Sequence, residues 1–227
     1  MELIYANNNF GSLVAQKIMY FAKKSIETSG SFSMAISGGN TPKPVFKEFY
    51  NNKKKYLIDW SKVNLFLTDE RCVDKNSSDN NFKVCHDEWI QNYSEINSFR
   101  INGWGEHRDE ALKYELKIKS ILKKNGEFPQ FDLIFMGFGE DGHIASLFPD
   151  YNFYKKTNNL VQYVKYKSYP SERITMNLNL LNNARNRIFG VIGEKKKYIL
   201  ERTFSSKKKY PLNHLLNSKS NDVWVLD

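Results

Sequence analysis

The sequence predicts an α/β fold, a three-layer sandwich in which helices cover both faces of a mostly parallel sheet. Short apolar runs alternate along the chain with amphipathic segments of helical spacing, as βα units require. The clearest run, Leu133–Met136, is continuously apolar, which is typical of a strand buried on both faces. Ligands of such sheets bind at the carboxyl ends of the strands, so the loops that follow strands are where function is expected.

The individual elements follow from hydrophobic periodicity. Residues 10–28 predict the first helix because their apolar side chains recur every three or four positions. The next apolar run is predicted to be a strand, which Gly38-Gly39 ends. The predicted strands are 32–37, 63–68, 132–136, 188–192 and 223–226, and the predicted helices are 10–28, 43–52, 81–92, 107–124 and 195–204. Because the 227 residues contain no evident linker or repeat, we expect a single domain over residues 1–227.

The charge balance raises the question of a nucleic-acid partner. The net charge is +9, and the lysines include three short runs at 53–55, 195–197 and 207–209. These runs are spread over the chain and accompany no nucleic-acid-binding motif, so we expect solvated side chains and no nucleic-acid partner. A positive surface would still attract a small anionic substrate.

Other partner classes are predicted to be absent. No apolar stretch approaches the roughly 20 residues that span a bilayer, and the N-terminus lacks a signal-peptide pattern. We therefore expect a soluble, cytoplasmic protein without a membrane partner. Cys72 and Cys85 are too few for a disulfide framework, and the four histidines are scattered. Neither a structural metal nor a cofactor is predicted.

The loop Ser37-Gly38-Gly39-Asn40-Thr41-Pro42 lies between a predicted strand and a predicted helix. Its paired glycines allow a sharp turn, and Thr41-Pro42 is typical of an N-cap followed by proline at the first helical position. Free N–H groups at a helix start suit a phosphate, which makes Gly38, Gly39, Asn40 and Thr41 candidate phosphate-binding residues. An ordinary capped turn explains the same sequence equally well.

The loop Thr68-Asp69-Glu70-Arg71 follows the next predicted strand. Two acids beside an arginine are compatible with an exposed ion pair that contributes little. Alternatively, the planar guanidinium of Arg71 faces a phosphate or an oxyanion.

The loop Gly137-Phe138-Gly139-Glu140-Asp141-Gly142-His143 matches the dinucleotide pattern G-x-G-x-x-G, but its context does not. That pattern needs a helix at the third glycine, whereas Pro149 follows quickly here. The loop instead presents Asp141 and His143, a carboxylate that can orient an imidazole and an imidazole that can transfer protons near neutral pH. No Gly-x-Ser-x-Gly motif or reactive cysteine context is present, so a hydrolysis would use activated water.

Together, in this order and at these separations, the three loops resemble the signature loops of the 6-phosphogluconolactonase family. The resemblance extends to Asp79-Asn80-Asn81-Phe82, Glu172-Arg173-Ile174-Thr175, Gly193-Glu194-Lys195-Lys196 and the final Val223-Trp224-Val225-Leu226-Asp227. It implies a Rossmann-like fold, shared with ribose-5-phosphate isomerase and glucosamine-6-phosphate deaminase. It also implies hydrolysis of 6-phospho-D-glucono-1,5-lactone in the oxidative pentose phosphate pathway, with a functional link to glucose-6-phosphate dehydrogenase.

The resemblance also implies roles for individual residues. His143 is expected to be the general base, with Asp141 orienting it. Arg173 and Lys196 are expected to help the Gly38–Thr41 backbone bind the phosphate. Arg71 lies near either the lactone or the phosphate, and the oxyanion donor is either Arg71 or a backbone N–H of residues 139–143. Two alternatives remain: a deaminase of the same fold, and a non-catalytic sugar-phosphate sensor.

Overall fold

The computed structural model describes residues 2–150, 159–205, 210–215 and 220–227. The strands are β1 (Glu2–Tyr5), β2 (Phe32–Ile36), β3 (Val63–Leu67), β4 (Asp69–Arg71), β5 (Asn97–Phe99), β6 (Lys124–Asn125), β7 (Phe128–Pro129), β8 (Leu133–Met136), β9 (Val161–Lys165), β10 (Glu172–Met176), β11 (Asn186–Val191) and β12 (Asn221–Leu226). The α-helices are α1 (Phe10–Ser29), α2 (Lys43–Asn51), α3 (Asn81–Glu88), α4 (His107–Ile121), α5 (Leu178–Asn182), α6 (Glu194–Ser205) and α7 (Pro211–Leu215).

Seven strands form the central sheet, in the order β1-β12-β11-β8-β2-β3-β5. Every neighbouring pair in this sheet is parallel. The strands in the middle are buried on both faces: all residues of β2, β8 and β11 are buried. Burial on both faces favours apolar residues, and β8 is apolar throughout, which is why the sequence pattern identified it so clearly.

Two hydrophobic clusters lie on opposite faces of the sheet and define its outer layers. One cluster joins the sheet to α1, α2 and α3, with Val14, Phe46 and Trp89 buried within it. The other joins the sheet to α4, α5, α6 and α7, with Ile118, Leu181 and Leu212 buried within it. The predicted α/β class, with three layers and a mostly parallel sheet, is confirmed.

A small antiparallel sheet, β4-β10-β9, stands beside the carboxyl end of the central sheet. Thr68 is the point where the chain passes from one sheet to the other. Its amide donates to the carbonyl of Ile36 in β2, and its carbonyl accepts from the amide of Met176 in β10. The three residues of β4 are therefore held at the edge where ligands of parallel sheets bind.

Several predicted boundaries differ from the structure. The helix predicted over 81–92 ends at Glu88, because Trp89 leaves the helical conformation and a 3₁₀ turn follows at Ile90–Asn92. The helix predicted over 107–124 ends at Ile121 because residues 124–129 form a hairpin in which Gly126 has a φ of +67°. None of the strands β1, β4, β5 and β9 was predicted, since each is short, polar or partly exposed.

Two further findings concern the lysine runs and the possibility of a membrane-spanning helix. Lys53–Lys55 form an exposed 3₁₀ turn, and the lysines at 195–197 lie on the first turns of α6, whereas the run at 207–209 lies outside the described residues. No described helix is long and apolar enough to span a bilayer.

Candidate active site

A pocket of about 430 Å³ opens where four central strands end. Ser37, Asp69, Gly137 and Ile192 line it, and each follows β2, β3, β8 or β11 by one or two residues. The predicted site residues that line the pocket are Gly38, Gly39, Asn40, Thr41, Arg71, His143, Arg173 and Lys196. Asp141 lies behind His143 and is not part of the lining. The fold thus brings together residues from two loops, two strands and one helix.

The loop after β2 forms one wall of the pocket through its backbone. A side chain at Gly38 would place its Cβ 1.9 Å from Oδ1 of Asn81, and Gly39 has a φ of +79°, so glycine is required at both positions. Within the described part of the chain, no group accepts a hydrogen bond from the amides of residues 38–41. These amides stand just before a helix and remain available for an anion.

The sequence predicted that Thr41 is the N-cap of helix α2, and this prediction is wrong. The helix begins at Lys43, and Pro42 occupies the N-cap position without a side-chain hydrogen bond. The Thr41 side chain instead packs against Gly137 and Gly190, where a Cβ would approach it to 2.5 Å. Its hydroxyl accepts a 2.7 Å hydrogen bond from Nζ of Lys196. Thr41 therefore serves to orient a lysine and not to begin the helix.

Lys196 brings a positive charge to this wall from the first turn of α6. Burial lowers the pKa of Lys196, while the negative charge of Glu140 works to raise it. Glu140 itself is exposed and pairs with Lys195 at 3.0 Å. The lysine ammonium is thus partly desolvated beside free backbone amides, which is a suitable setting for a phosphate.

The side chains of the acidic segment in β4 lie on two opposite faces of the strand. Because side chains alternate along a strand, Asp69 and Arg71 face the pocket while Glu70 points away from it. Glu70 is fully buried and accepts hydrogen bonds from the backbone amides of Arg71, Asn81 and Phe82 at 2.7–2.8 Å. Burial raises the pKa of Glu70 to about 7, although the three amides work to lower it. Of the two alternatives for this loop, the exposed ion pair does not hold for Glu70, which is buried and accepts hydrogen bonds from amides at the start of α3.

Arg71 and Arg173 form a pair of cations on the small sheet. They are directly opposed in the register of β4 and β10, and both line the pocket. Nη1 of Arg71 donates to the carbonyl of Asp79 at 2.7 Å, and Nε of Arg173 donates to the carbonyl of Pro170 at 3.0 Å. Burial lowers the pKa of Arg173, the charge of Asp69 works to raise it, and the charge of Arg71 works to lower it. Each guanidinium is fixed by one carbonyl and keeps further N–H groups for an anionic ligand.

The loop after β8 holds an imidazole and a carboxylate in contact. Nδ1 of His143 lies 2.6 Å from Oδ1 of Asp141, which also accepts from the His143 amide at 3.1 Å. A Cβ on Gly139 would lie 2.2 Å from the imidazole, so this pairing needs glycine there. Although burial works to raise the pKa of Asp141, its contacts with His143 lower it below the ordinary value. Because Asp141 occupies the Nδ1 side, Nε2 is the imidazole nitrogen available to a ligand.

The chain after this loop does not form a dinucleotide-binding helix. A tight turn follows Gly142, and Ile144 and Leu147 make an isolated antiparallel bridge. The described residues contain no cluster of three or more His, Cys, Asp and Glu side chains placed to hold a metal ion. Burial raises the pKa of Cys72 to about 12, which disfavours a thiolate nucleophile.

Sequence reasoning missed three polar residues at the pocket. Asp69 and Asn81 line it, and the Asn81 side chain donates to the Asp69 carbonyl at 3.0 Å. Ser146 lies behind Asp69 and donates to its Oδ2 at 2.7 Å across 77 sequence positions. The alternation of β4 would have indicated Asp69, once the strand itself was recognised. The contacts of Asn81 and Ser146 depend on the tertiary fold and leave no local sequence signal.

The comparisons with known proteins agree with this architecture. The sequence model of the glucosamine-6-phosphate isomerases/6-phosphogluconolactonase family matches residues 7–224. A 6-phosphogluconolactonase from Chlamydia pneumoniae is 32% identical over 225 residues, which cover 96% of this chain and 83% of that protein. A probable 6-phosphogluconolactonase from Arabidopsis thaliana is 30% identical over 247 residues, which cover 99% of this chain and 90% of that protein.

A solved structure of 6-phosphogluconolactonase from Trypanosoma brucei superimposes with a TM-score of 0.86. The match covers 100% of this chain and 95% of that one, at 23% sequence identity, and therefore supports the fold. The resemblance that the three loops carried is confirmed by the near-complete sequence match. The chain belongs to the glucosamine-6-phosphate isomerase/6-phosphogluconolactonase family.

Proposed function

We propose that this chain hydrolyses 6-phospho-D-glucono-1,5-lactone to 6-phospho-D-gluconate. The proposal depends on one observation. The imidazole of His143, which is paired with Asp141, lines a pocket that three cationic side chains also line. These are Arg71, Arg173 and Lys196. A lactone with a phosphate at its far end needs this combination, since a base must act at the carbonyl while cations bind the phosphate. The names of the sequence relatives support the same substrate.

The phosphate is proposed to lie on the wall formed by residues 38–41. The free amides of this loop, the ammonium of Lys196 and the guanidinium of Arg173 would provide donors and positive charge. Because Thr41 holds Lys196, the ammonium is oriented before the ligand arrives. The same contacts would be made to substrate and transition state, so they should govern affinity more than turnover.

Hydrolysis is proposed to proceed by general-base catalysis at C1. Nε2 of His143 removes a proton from water as its oxygen forms a bond to C1, and the carbonyl electrons move to oxygen. As the tetrahedral oxyanion collapses, the bond from C1 to the ring oxygen breaks and that oxygen receives the proton from the imidazolium. Asp141 stabilises the imidazolium through the 2.6 Å contact with Nδ1.

The structure favours Arg71 as the donor to the oxyanion. Within the loop after β8, the amides of Gly139, Gly142 and His143 already donate to a carbonyl or to Asp141. Few backbone N–H groups of this loop are therefore free. Arg71 lines the pocket and retains N–H groups beyond the one that binds Asp79.

The direct test is lactone decay. The lactone is generated in situ with glucose-6-phosphate dehydrogenase, and release of 6-phosphogluconate is followed with and without the protein. We expect acceleration that is proportional to protein concentration and clearly above spontaneous hydrolysis. A folded protein that gives no acceleration would contradict the lactonase proposal.

The alternatives have separate readouts. A deaminase would release ammonia from glucosamine 6-phosphate, and a sensor would bind sugar phosphates without turnover. In the deaminase family the acidic pair is usually followed by tyrosine, whereas Arg71 stands here and faces the pocket. The paired Asp141 and His143 argue against a sensor, because binding alone does not need them.

The setting of the reaction is part of the proposal. Hydrolysis of this lactone is a step of the oxidative pentose phosphate pathway, and oxidation of glucose 6-phosphate at C1 supplies its substrate. We place the activity in the cytoplasm, in a functional link with glucose-6-phosphate dehydrogenase, and assign it to one domain over residues 1–227.

A further inference from the structure

A buried carboxylate lines the proposed site without a role in the mechanism above. Asp69 is 5% exposed, yet its side chain faces the pocket from β4. The hydroxyl of Thr68 donates to its Oδ1 at 3.0 Å, and the hydroxyl of Ser146 donates to its Oδ2 at 2.7 Å. A carboxylate offers about four acceptor positions, so these two donors leave each oxygen able to accept again.

The chemistry of the pocket decides what Asp69 can contact. A phosphate beside it would be repelled, because two negative charges would meet in a partly desolvated site. A hydroxyl group, by contrast, donates a hydrogen to a carboxylate and forms a strong charge-assisted hydrogen bond. The neutral, donor-rich part of the proposed substrate is its set of ring hydroxyls.

We infer that Asp69 is a specificity-determining residue, which accepts hydrogen bonds from the hydroxyl groups of the sugar ring. This inference rests on the proposed function for the identity of the ligand. The Asp69 carboxylate would direct the phosphate towards the Gly38–Thr41 wall and the sugar ring towards itself. Phosphates that carry no sugar hydroxyls are disfavoured by the same charge.

Ser146 acts as a positioning residue for this carboxylate. Its side chain is fully buried, and its amide donates to Oγ1 of Thr175 at 3.1 Å, so the backbone of Ser146 is fixed beside Asp69. Thr175 is in turn the β10 partner that stands opposite Asp69 in the register. Since Ser146 follows His143 by three residues, the hydrogen bond to Asp69 also joins the base-bearing loop to the small sheet.

The test compares two ligands that differ in their hydroxyl groups. 6-Phosphogluconate and 6-phosphohexanoate both carry a phosphate and a carboxylate, but the second lacks every hydroxyl. Calorimetric titration of the wild-type chain should show about tenfold or more tighter binding of 6-phosphogluconate. In Asp69→Asn this preference should fall at least about fivefold, while affinity for 6-phosphohexanoate stays constant or rises because a like charge is lost.

Glu140→Gln is the matched charge control. It removes a carboxylate from the pocket mouth that is exposed and paired with Lys195, so both ligands should gain affinity equally and the preference should not change. In Ser146→Ala, Asp69 remains but is less fixed, and the preference should fall by about twofold to threefold. This second variant keeps the test decisive if Asp69→Asn does not fold.

Two results would overturn the inference. One is a wild-type chain that binds both ligands equally. The other is an Asp69→Asn chain in which both affinities fall together, which is what a purely structural role would cause. A wild-type chain that distinguishes the ligands but leaves the lactone intact would contradict the proposed function alone.

Discussion

The contact between Asp141 and His143 gives the most quantitative prediction. In the proposed mechanism the imidazole becomes positively charged in the transition state, and Nδ1 then donates to a carboxylate oxygen at 2.6 Å. Asp141→Asn keeps an acceptor of similar shape but removes the charge. Hydrogen bonds to charged groups contribute about 1.5–3 kcal/mol, and neutral ones about half of that.

Solvent exposure sets the magnitude within this range. The Asp141 side chain is 49% exposed and that of His143 is 31% exposed, so part of the charge interaction is screened. A loss of about 1–2 kcal/mol is appropriate, which corresponds to a fall of about fivefold to thirtyfold in kcat.

The assay is lactone hydrolysis by the wild type and the variant over a range of pH, corrected for spontaneous decay. Asp87→Asn is the matched control, since Asp87 also contacts a histidine Nδ1, that of His86 at 3.2 Å, but on an exposed helix. The control should leave kcat unchanged. If Asp141→Asn kept the wild-type rate, the assigned role of Asp141 would be wrong.

Three further predictions address the loop, the phosphate wall and the buried acid. Gly139→Ala places a Cβ 2.2 Å from the imidazole of His143, so kcat should fall by about a hundredfold. Thermal unfolding should show that the variant is folded, and wild-type activity would contradict the loop geometry. Lys196→Met should raise KM by about tenfold to a hundredfold with a smaller change in kcat, whereas Lys195→Met, which removes an exposed cation, should do neither. Because the pKa of Glu70 is raised to about 7, its contribution to the free energy of unfolding is full below a pH of about 4.5 and is lost as the pH rises through 7. Urea unfolding should show this pH dependence in the wild type and not in Glu70→Gln; an identical dependence in both would contradict it.

The elements that could be predicted from the sequence are those with a strong local pattern. Strand β8 is a continuous apolar run and α1 has a clear helical period, so both were identified within a residue or two. Strands β4 and β10 were harder to recognise, because β4 has three residues, all charged, and the pairing with β10 spans about a hundred positions. Their existence depends on tertiary contacts through Thr68 and not on hydrophobic periodicity.

The candidate site divides in the same way. Gly39 and His143 could be selected because glycine-rich loops after strands have a recognisable chemistry, whereas Lys196 was selected from the resemblance to the family. All three line one pocket. The N-cap predicted at Thr41 is wrong: a threonine before a proline is typical of a cap, whereas its hydroxyl here is turned towards a lysine 155 positions away. Asp69 was overlooked because the burial of its side chain cannot be read from its neighbours.

The measurement that tests the central claim most directly is the rate of lactone hydrolysis by His143→Ala. His86→Ala is the control, because His86 is exposed on α3 and does not line the pocket. Loss of a general base should lower the enzyme-dependent rate by about 10²–10⁴-fold in His143→Ala and leave it unchanged in His86→Ala. A folded His143→Ala chain that hydrolyses the lactone at the wild-type rate would contradict the account.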